Sequence, residues 1–166
     1  LSGRIAALRY RQKPMPPDGD AGDEGALDRA VRALARSDHS EVRLRAKLAR
    51  AGVSEAGQTE AIETLARAGY VDDARFARDR AARLAARGYG DDWIRADLEA
   101  QGVADELVDA ALAALAPEHE RALVHAAKLG GGVRAGRALG RRGFSEDALE
   151  AVVAEAIADD PSSGVG

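Results

Sequence analysis

Five glycines, each followed by an apolar residue, interrupt a chain whose other stretches have the pattern of helices. A left-handed glycine after the last helical turn, with an apolar residue that packs back on that turn, is the Schellman helix ending. The five pairs are Gly52-Val53, Gly69-Tyr70, Gly88-Tyr89, Gly102-Val103 and Gly143-Phe144. Residues suited to begin the next helix follow such junctions, namely the cap candidates Ser40, Ser54, Asp72, Asp91 and Ser145, and Pro117 at a first helical turn. These signals predict a chain that is helical throughout its middle.

These helix-ending and helix-capping signals predict nine helices. Aromatic residues make up only 4% of the chain, so the core must consist mostly of alanine, leucine and valine. Small side chains of this kind suit closely packed helices and disfavour a β-sandwich. The predicted helices cover 26–36, 41–51, 55–68, 73–87, 92–101, 105–116, 117–129, 134–142 and 146–158.

The helices fall into three sets of three when they are aligned on the glycines at 52, 102 and 143. Apolar residues recur at shared distances from these glycines, which chance similarity among alanine-rich helices does not easily produce. Four residues before lie Leu48, Leu98 and Leu139; eight before lie Leu44, Ile94 and Ala135; one after lie Val53, Val103 and Phe144; ten after lie Ile62, Leu112 and Val153.

This periodicity predicts an all-α fold of three tandem three-helix repeats that form an elongated, curved helical array. The repeats are expected at 26–69, 70–116 and 117–158. They follow a flexible N-terminal segment at 1–25, which is rich in proline, glycine and aspartate, and precede a disordered tail at 159–166. Such a fold offers an extended surface rather than a deep central pocket, which favours binding along a long partner.

Residue types and spacings give no support to an enzyme. The chain has no cysteine, which excludes disulfides and thiolate ligands. Ser37, Asp38 and His39 are the residue types of a hydrolytic triad, but neighbours at a helix junction are not expected to face each other, so we interpret them as capping residues. His119 lacks the second histidine of a zinc-protease helix, because position 123 is leucine. We expect no catalytic residue, no metal and no cofactor.

The placement of the arginines is more informative than the formal net charge of −4. Residues 130–143 contain four arginines and no acid, and similar basic stripes recur at helical spacing in the other two repeats. Three stripes on three stacked units could follow a phosphate backbone or an acidic protein groove, although charges opposite an apolar face can also be merely solvated. The candidate contact residues are Arg43, Lys47, Arg50, Arg80, Arg83, Arg87, Arg134 and Arg141. Trp93 is interpreted as a half-buried helix contact rather than a partner contact.

Two blocks of the sequence resemble the RecX regulatory proteins. The more distinctive one runs Gly69-Tyr70-Val71-Asp72-Asp73-Ala74-Arg75-Phe76-Ala77 and continues at Arg87-Gly88-Tyr89-Gly90. The other is Ala33-Leu34-Ala35-Arg36-Ser37-Asp38-His39-Ser40, and Arg141-Arg142-Gly143-Phe144 matches the last repeat. Asp91-Asp92 departs from the proline and basic residues that often follow in the family, which puts a basic contact there in doubt.

The resemblance implies a non-enzymatic bacterial regulator that binds the RecA recombinase and its DNA filament and inhibits its recombinase, ATPase and coprotease activities. We expect a cytoplasmic monomer that contacts single-stranded DNA, with duplex DNA left open. No membrane contact is expected, since no apolar run approaches the roughly 20 residues of a membrane span. Two alternatives stay open: a stand-alone DNA-binding module of the helix-turn-helix type, and a helical scaffold for protein interaction.

Overall fold

Residues 23–158 are described by a computed structural model, and within them the chain is entirely helical. The expectations for 1–22 and for 159–166 lie outside these residues. A short 3-10 helix, Asp23–Gly25, precedes nine α-helices, so an all-α fold is confirmed. The helices are α1 (Ala26–Arg36), α2 (Glu41–Arg50), α3 (Glu55–Arg67), α4 (Asp73–Ala86), α5 (Asp91–Ala100), α6 (Asp105–Ala113), α7 (Glu118–Lys128), α8 (Gly132–Gly140) and α9 (Glu146–Ala158).

The predicted helix endings are present at all five glycines. Their φ angles lie between 74° and 85°, in the left-handed region. The next residue's N–H closes the motif on a carbonyl of the last turn, for example Val53 N on Leu48 O at 3.1 Å and Val103 N on Leu98 O at 3.2 Å. Helix α6 ends at Ala113, three residues earlier than predicted.

The helix beginnings follow the predicted caps in part. Ser40 and Ser54 cap α2 and α3 by accepting a hydrogen bond from the N–H three residues later. Asp91, however, is the first residue of α5 and not its cap, because Gly90 holds the cap position. Pro117 likewise is the cap residue of α7 and precedes its first turn.

Two compact units make up the chain, Leu1–Asp72 and Asp73–Gly166. In the first, α1, α2 and α3 enclose one hydrophobic core, in which Leu44, Leu48 and Ile62 are almost completely buried. The second holds two cores, one around Ile94 and Leu98 and one around Leu139. The three cores correspond to the three sets of helices expected from the glycine spacing.

The predicted position ten residues after the glycine is buried in the first set (Ile62), half-buried in the second (Leu112) and exposed in the third (Val153). Val153, ten residues after Gly143, is 38% exposed, and the neighbouring Val152 is buried in its place. Position +9 is buried in every set, as Ala61, Ala111 and Val152. The prediction for Val153 was wrong because a shift of one residue turns a helix by about 100°.

The end of the predicted N-terminal segment is attached to α3. Asp23, in the 3-10 helix, accepts hydrogen bonds from Ser54 N at 3.0 Å and from Ser54 Oγ at 2.7 Å. Gly57 makes room for this carboxylate, since a Cβ there would lie 2.4 Å from Asp23 Oδ1. Gly57 thus has a packing role in α3.

Each set of three helices forms a bundle, and a joint links the second bundle (α4–α6) to the third (α7–α9). It connects the turn between α4 and α5 with the turn between α8 and α9. Gly90 N donates to Arg142 O at 2.8 Å, and Asp92 N donates to Gly143 O at 3.1 Å. The two backbones approach so closely that a Cβ on Gly90 would lie 2.1 Å from Gly143 O. This close approach explains the glycine at 90, whose φ of −84° is open to any residue.

Side chains from α7 complete the joint. Glu118 accepts from Asp91 N at 2.7 Å and from Ser145 Oγ at 2.5 Å, so one carboxylate binds at the N-termini of both α5 and α9. Arg121 pairs with the Asp91 carboxylate and donates to Tyr89 O at 3.3 Å. Burial raises the pKa of Asp91, and the positive charge of Arg121 opposes that shift.

Candidate partner-binding surfaces

Helix α2 presents one of the predicted basic stripes on its surface. Arg43, Lys47 and Arg50 are exposed, whereas Leu44 and Leu48 on the opposite side are buried. Lys47 Nζ lies 3.4 Å from His39 Nε2. Burial, together with the charge of Lys47, lowers the pKa of His39, so the imidazole is neutral at neutral pH and leaves the lysine as the local cation.

The junction before α2 corrects one expectation. Ser37 Oγ lies 3.1 Å from His39 Nε2, so these two side chains do meet, although they were expected not to. The contact is possible because the extended backbone between α1 and α2 places residues two apart on the same side. The same nitrogen also faces Lys47, and Ser40 is the buried cap of α2 as predicted.

Helix α4 carries the second predicted stripe, and the three arginines of that stripe have different surroundings. Arg80 forms a two-pronged ion pair with Asp97 of α5, in which Nη2 lies 2.8 Å from Oδ1. The hydrogen bonds to Asp97 raise the pKa of Arg80, and its guanidinium lies 5.9 Å from the Phe76 ring centre. Arg80 thus ties α4 to α5, while Arg83 and Arg87 are exposed one and two turns further on.

An aromatic stack follows Arg87. The rings of Tyr89 and Trp93 lie 4.1 Å apart between centres at an angle of 24°, and Trp93 is 38% exposed. The Arg87 guanidinium lies 5.4 Å from the Tyr89 ring centre. Trp93 is the half-buried contact that the sequence suggested, but Tyr89 was missed as a surface residue because it was assigned only to a helix ending. Its spacing of four residues from a tryptophan was the available signal.

Helix α8 carries the third stripe beside a shallow concavity. Arg134 and Arg141, both exposed, border a space of about 340 Å³ that Leu129, Ala135 and Ala138 line further. Arg134 and Arg43 hold the same position relative to the glycine that ends each set's second helix, and so do Arg141 and Arg50. Two of the three bundles therefore expose cations at equivalent positions.

Two observations concern the part of the chain that the structure describes. No group of three His, Asp or Glu side chains there could hold a metal ion. No helix there is both long enough and apolar enough to cross a membrane.

The folded three-helix sets define a modular all-α protein, and comparison with known proteins gives its family. The family model described as the second three-helix domain of RecX matches residues 72–112, which span α4 to α6. A regulatory protein RecX of Halorhodospira halophila is 33% identical over 159 residues, covering 90% of this chain and 99% of the relative. One of Xanthomonas oryzae is 35% identical over 118 residues, covering 69% and 74% of the two chains. The chain belongs to the RecX family of regulatory proteins.

Solved structures show the same fold. The crystal structure of RecX from Lactobacillus salivarius matches with a TM-score of 0.70 at 18% identity, covering 80% of this chain and 95% of that one. A second structure titled regulatory protein RecX matches with a TM-score of 0.64 at 21% identity, covering 90% and 76%. The expected family and its helical fold are confirmed.

Proposed function

We propose that this chain binds the RecA recombinase on its DNA filament and restrains RecA's ATP hydrolysis, strand exchange and coprotease activity. It would do so in the cytoplasm as a monomer that holds its partner and performs no chemistry of its own. The names of the curated relatives support a regulatory role, and the resemblance of the two sequence blocks points to RecA as the target.

The observation that carries the proposal is the repetition of exposed cations on equivalent helices. Arg43 and Arg50 on α2 and Arg134 and Arg141 on α8 occupy matching positions in two bundles. A filament of protein on single-stranded DNA repeats its phosphates and its protein surface at regular intervals. Equivalent cations on the first and third bundles suit such a partner better than they suit a compact ligand.

The described contacts narrow the predicted contact set. Arg80 is engaged by Asp97, so its removal should affect stability more than binding. Arg83 and Arg87 stay in the proposed set with the cations of α2 and α8. Each phosphate that such a residue neutralises on single-stranded DNA should contribute about −0.7 to the slope of log affinity against log salt concentration.

The test is RecA-catalysed ATP hydrolysis on single-stranded DNA with this chain added. The wild-type chain should lower turnover, and two alanine variants should restore it in part without loss of the circular dichroism signal, because the substituted side chains are exposed. A control is Arg67→Ala, since Arg67 is exposed and its guanidinium donates to Thr64 Oγ1 at 3.3 Å on its own helix. The two variants are Arg43→Ala/Lys47→Ala/Arg50→Ala and Arg134→Ala/Arg141→Ala.

Binding to three labelled partners separates the alternatives. Preference for a preformed RecA filament over free single strands and duplexes supports the proposal. Tight binding that depends on duplex sequence would instead favour a stand-alone DNA reader. Binding to none of the three would contradict both and leave a scaffold for another protein.

A further inference from the structure

The stack of Tyr89 and Trp93 uses two of the chain's few aromatic side chains, one of them half-buried and the other partly exposed. The whole chain has one tryptophan, three tyrosines and two phenylalanines. Both phenylalanines are buried, as Phe76 and Phe144, whereas Tyr89 is half-buried against the core of the second bundle and Trp93 is 38% exposed. A large aromatic ring buries the most apolar area inside a core, so the exposed part of the Trp93 ring calls for a separate explanation.

The stack is held in place before any ligand arrives. Tyr89 N donates to Leu84 O at 3.2 Å, and Tyr89 O accepts from Arg121 Nη1 at 3.3 Å, so both backbone groups of the tyrosine are bound. The Trp93 backbone lies against Gly143, where an added Cβ would be only 2.6 Å from Trp93 N. The rigid joint between the two bundles thus fixes the rings, which lowers the entropic cost of binding a planar ligand.

Arginines lie beside the stack and can contact a polyanion, while the exposed carboxylate of Asp92 directly precedes Trp93. Arg87 lies over the Tyr89 ring, and Arg142 Nη1 lies near Gly88, where a Cβ would be 3.0 Å from it. Arg121 neutralises the carboxylate of Asp91. Aromatic rings beside arginines are the arrangement with which proteins hold unstacked bases on a charged backbone.

We propose that Tyr89, Trp93 and Arg87 form a stacking platform for an unpaired nucleobase of single-stranded DNA. The inference deepens the proposed function, on which it rests only for the choice of nucleic acid as partner. A base stacks on the exposed part of Trp93, and Arg87 and Arg142 contact the adjoining phosphates. Since the surface reads a ring face and not a base edge, it tolerates any sequence and disfavours paired duplex DNA, whose ring faces are covered.

The single tryptophan makes a direct test possible with the intact protein. Its fluorescence is followed during titration with an oligothymidylate and with an abasic deoxyribose-phosphate chain of the same length. The oligothymidylate should quench Trp93 emission to saturation and bind about 5-fold to about 100-fold more tightly than the abasic chain. Three results would overturn the platform: equal affinity for the two chains measured by anisotropy, binding of the oligothymidylate without quenching of Trp93, or no binding of the oligothymidylate.

Two tyrosine variants provide a matched pair. Tyr70 and Tyr89 both follow the glycine of a Schellman ending, and Tyr70 is 43% exposed. Tyr89→Leu should weaken oligothymidylate binding at least about fivefold and leave abasic-chain binding unchanged, whereas Tyr70→Leu should change neither. Trp93→Phe should retain more affinity than Trp93→Leu. Equal losses for Tyr70→Leu and Tyr89→Leu would contradict the proposal.

Inhibition of RecA, measured with the same proteins, separates this inference from the proposed function. Inhibition by a wild-type chain whose tryptophan is not quenched would overturn the platform and support regulation of RecA. Quenching without inhibition would support the platform and contradict regulation of RecA.

Discussion

Replacement of Gly90 by alanine should disrupt the joint between the second and third bundles. Its φ of −84° is open to alanine, so the only obstacle is the methyl group, which would lie 2.1 Å from Gly143 O. The backbones must separate, which weakens the bonds from Gly90 N to Arg142 O at 2.8 Å and from Asp92 N to Gly143 O at 3.1 Å.

The expected loss follows from these contacts. Two backbone hydrogen bonds contribute about 1 kcal/mol each, and the bond of Asp91 N to the charged Glu118 contributes about 1.5–3 kcal/mol. Because the joint can shift and keep part of the last contact, we expect the free energy of unfolding to fall by about 2–4 kcal/mol. Urea denaturation followed by circular dichroism measures this change.

A matched glycine gives the control. Gly136 lies inside α8, and a Cβ there would meet nothing within 4 Å. Gly136→Ala should therefore stabilise the protein by about 1 kcal/mol through helix propensity. A Gly90→Ala protein within about 0.5 kcal/mol of wild type would refute the close approach as the reason for this glycine.

Three further predictions concern single contacts. Gly57→Ala should destabilise the intact chain, because its methyl group displaces the Asp23 carboxylate. It should cost less in an Asp23→Ala chain, which keeps a Cβ 3.0 Å from the methyl group but loses the closer carboxylate atoms; urea midpoints that shift equally in both backgrounds would contradict this contact. Arg80→Ala should lower the free energy of unfolding by about 1–2 kcal/mol, because it leaves the largely buried Asp97 unpaired. An unchanged thermal midpoint would show that the pair is not stabilising. Because the pKa of His39 is lowered in the folded chain, the unfolded chain binds a proton at His39 first as the pH falls, so stability should fall as the pH drops below 6.5. His39→Gln should flatten that part of the profile of thermal midpoint against pH. An unaltered slope would assign this pH dependence to other groups.

The helices were predictable because their beginnings and ends are local signals. A glycine with an apolar follower specifies a helix ending within a few residues, and a serine three residues before a free N–H specifies a beginning. The same signals gave the three sets of helices, whose second helices have the predicted buried residues Leu48, Leu98 and Leu139. Buried faces were less predictable in the third helices, where Val152 takes the place of Val153.

The roles of surface residues depended on contacts across the fold. Arg80 meets Asp97 from 17 positions away, a pairing that the packing of α4 on α5 decides. Gly90 was identifiable as part of a family block. The structural reason for a glycine at this position is the close approach of the third bundle's backbone at Gly143. The stack of Tyr89 on Trp93 required the turn geometry before α5, which a charge or periodicity pattern does not contain.

The most direct test of regulation by binding is the rate of RecA-catalysed ATP hydrolysis on single-stranded DNA, measured against increasing amounts of this chain at two salt concentrations. We expect turnover to fall to a saturating level, with half-inhibition reached at a higher concentration of the chain in the higher salt, because exposed cations supply the contact. A turnover that stays unchanged at concentrations where the chain is folded and in excess over RecA would contradict the account.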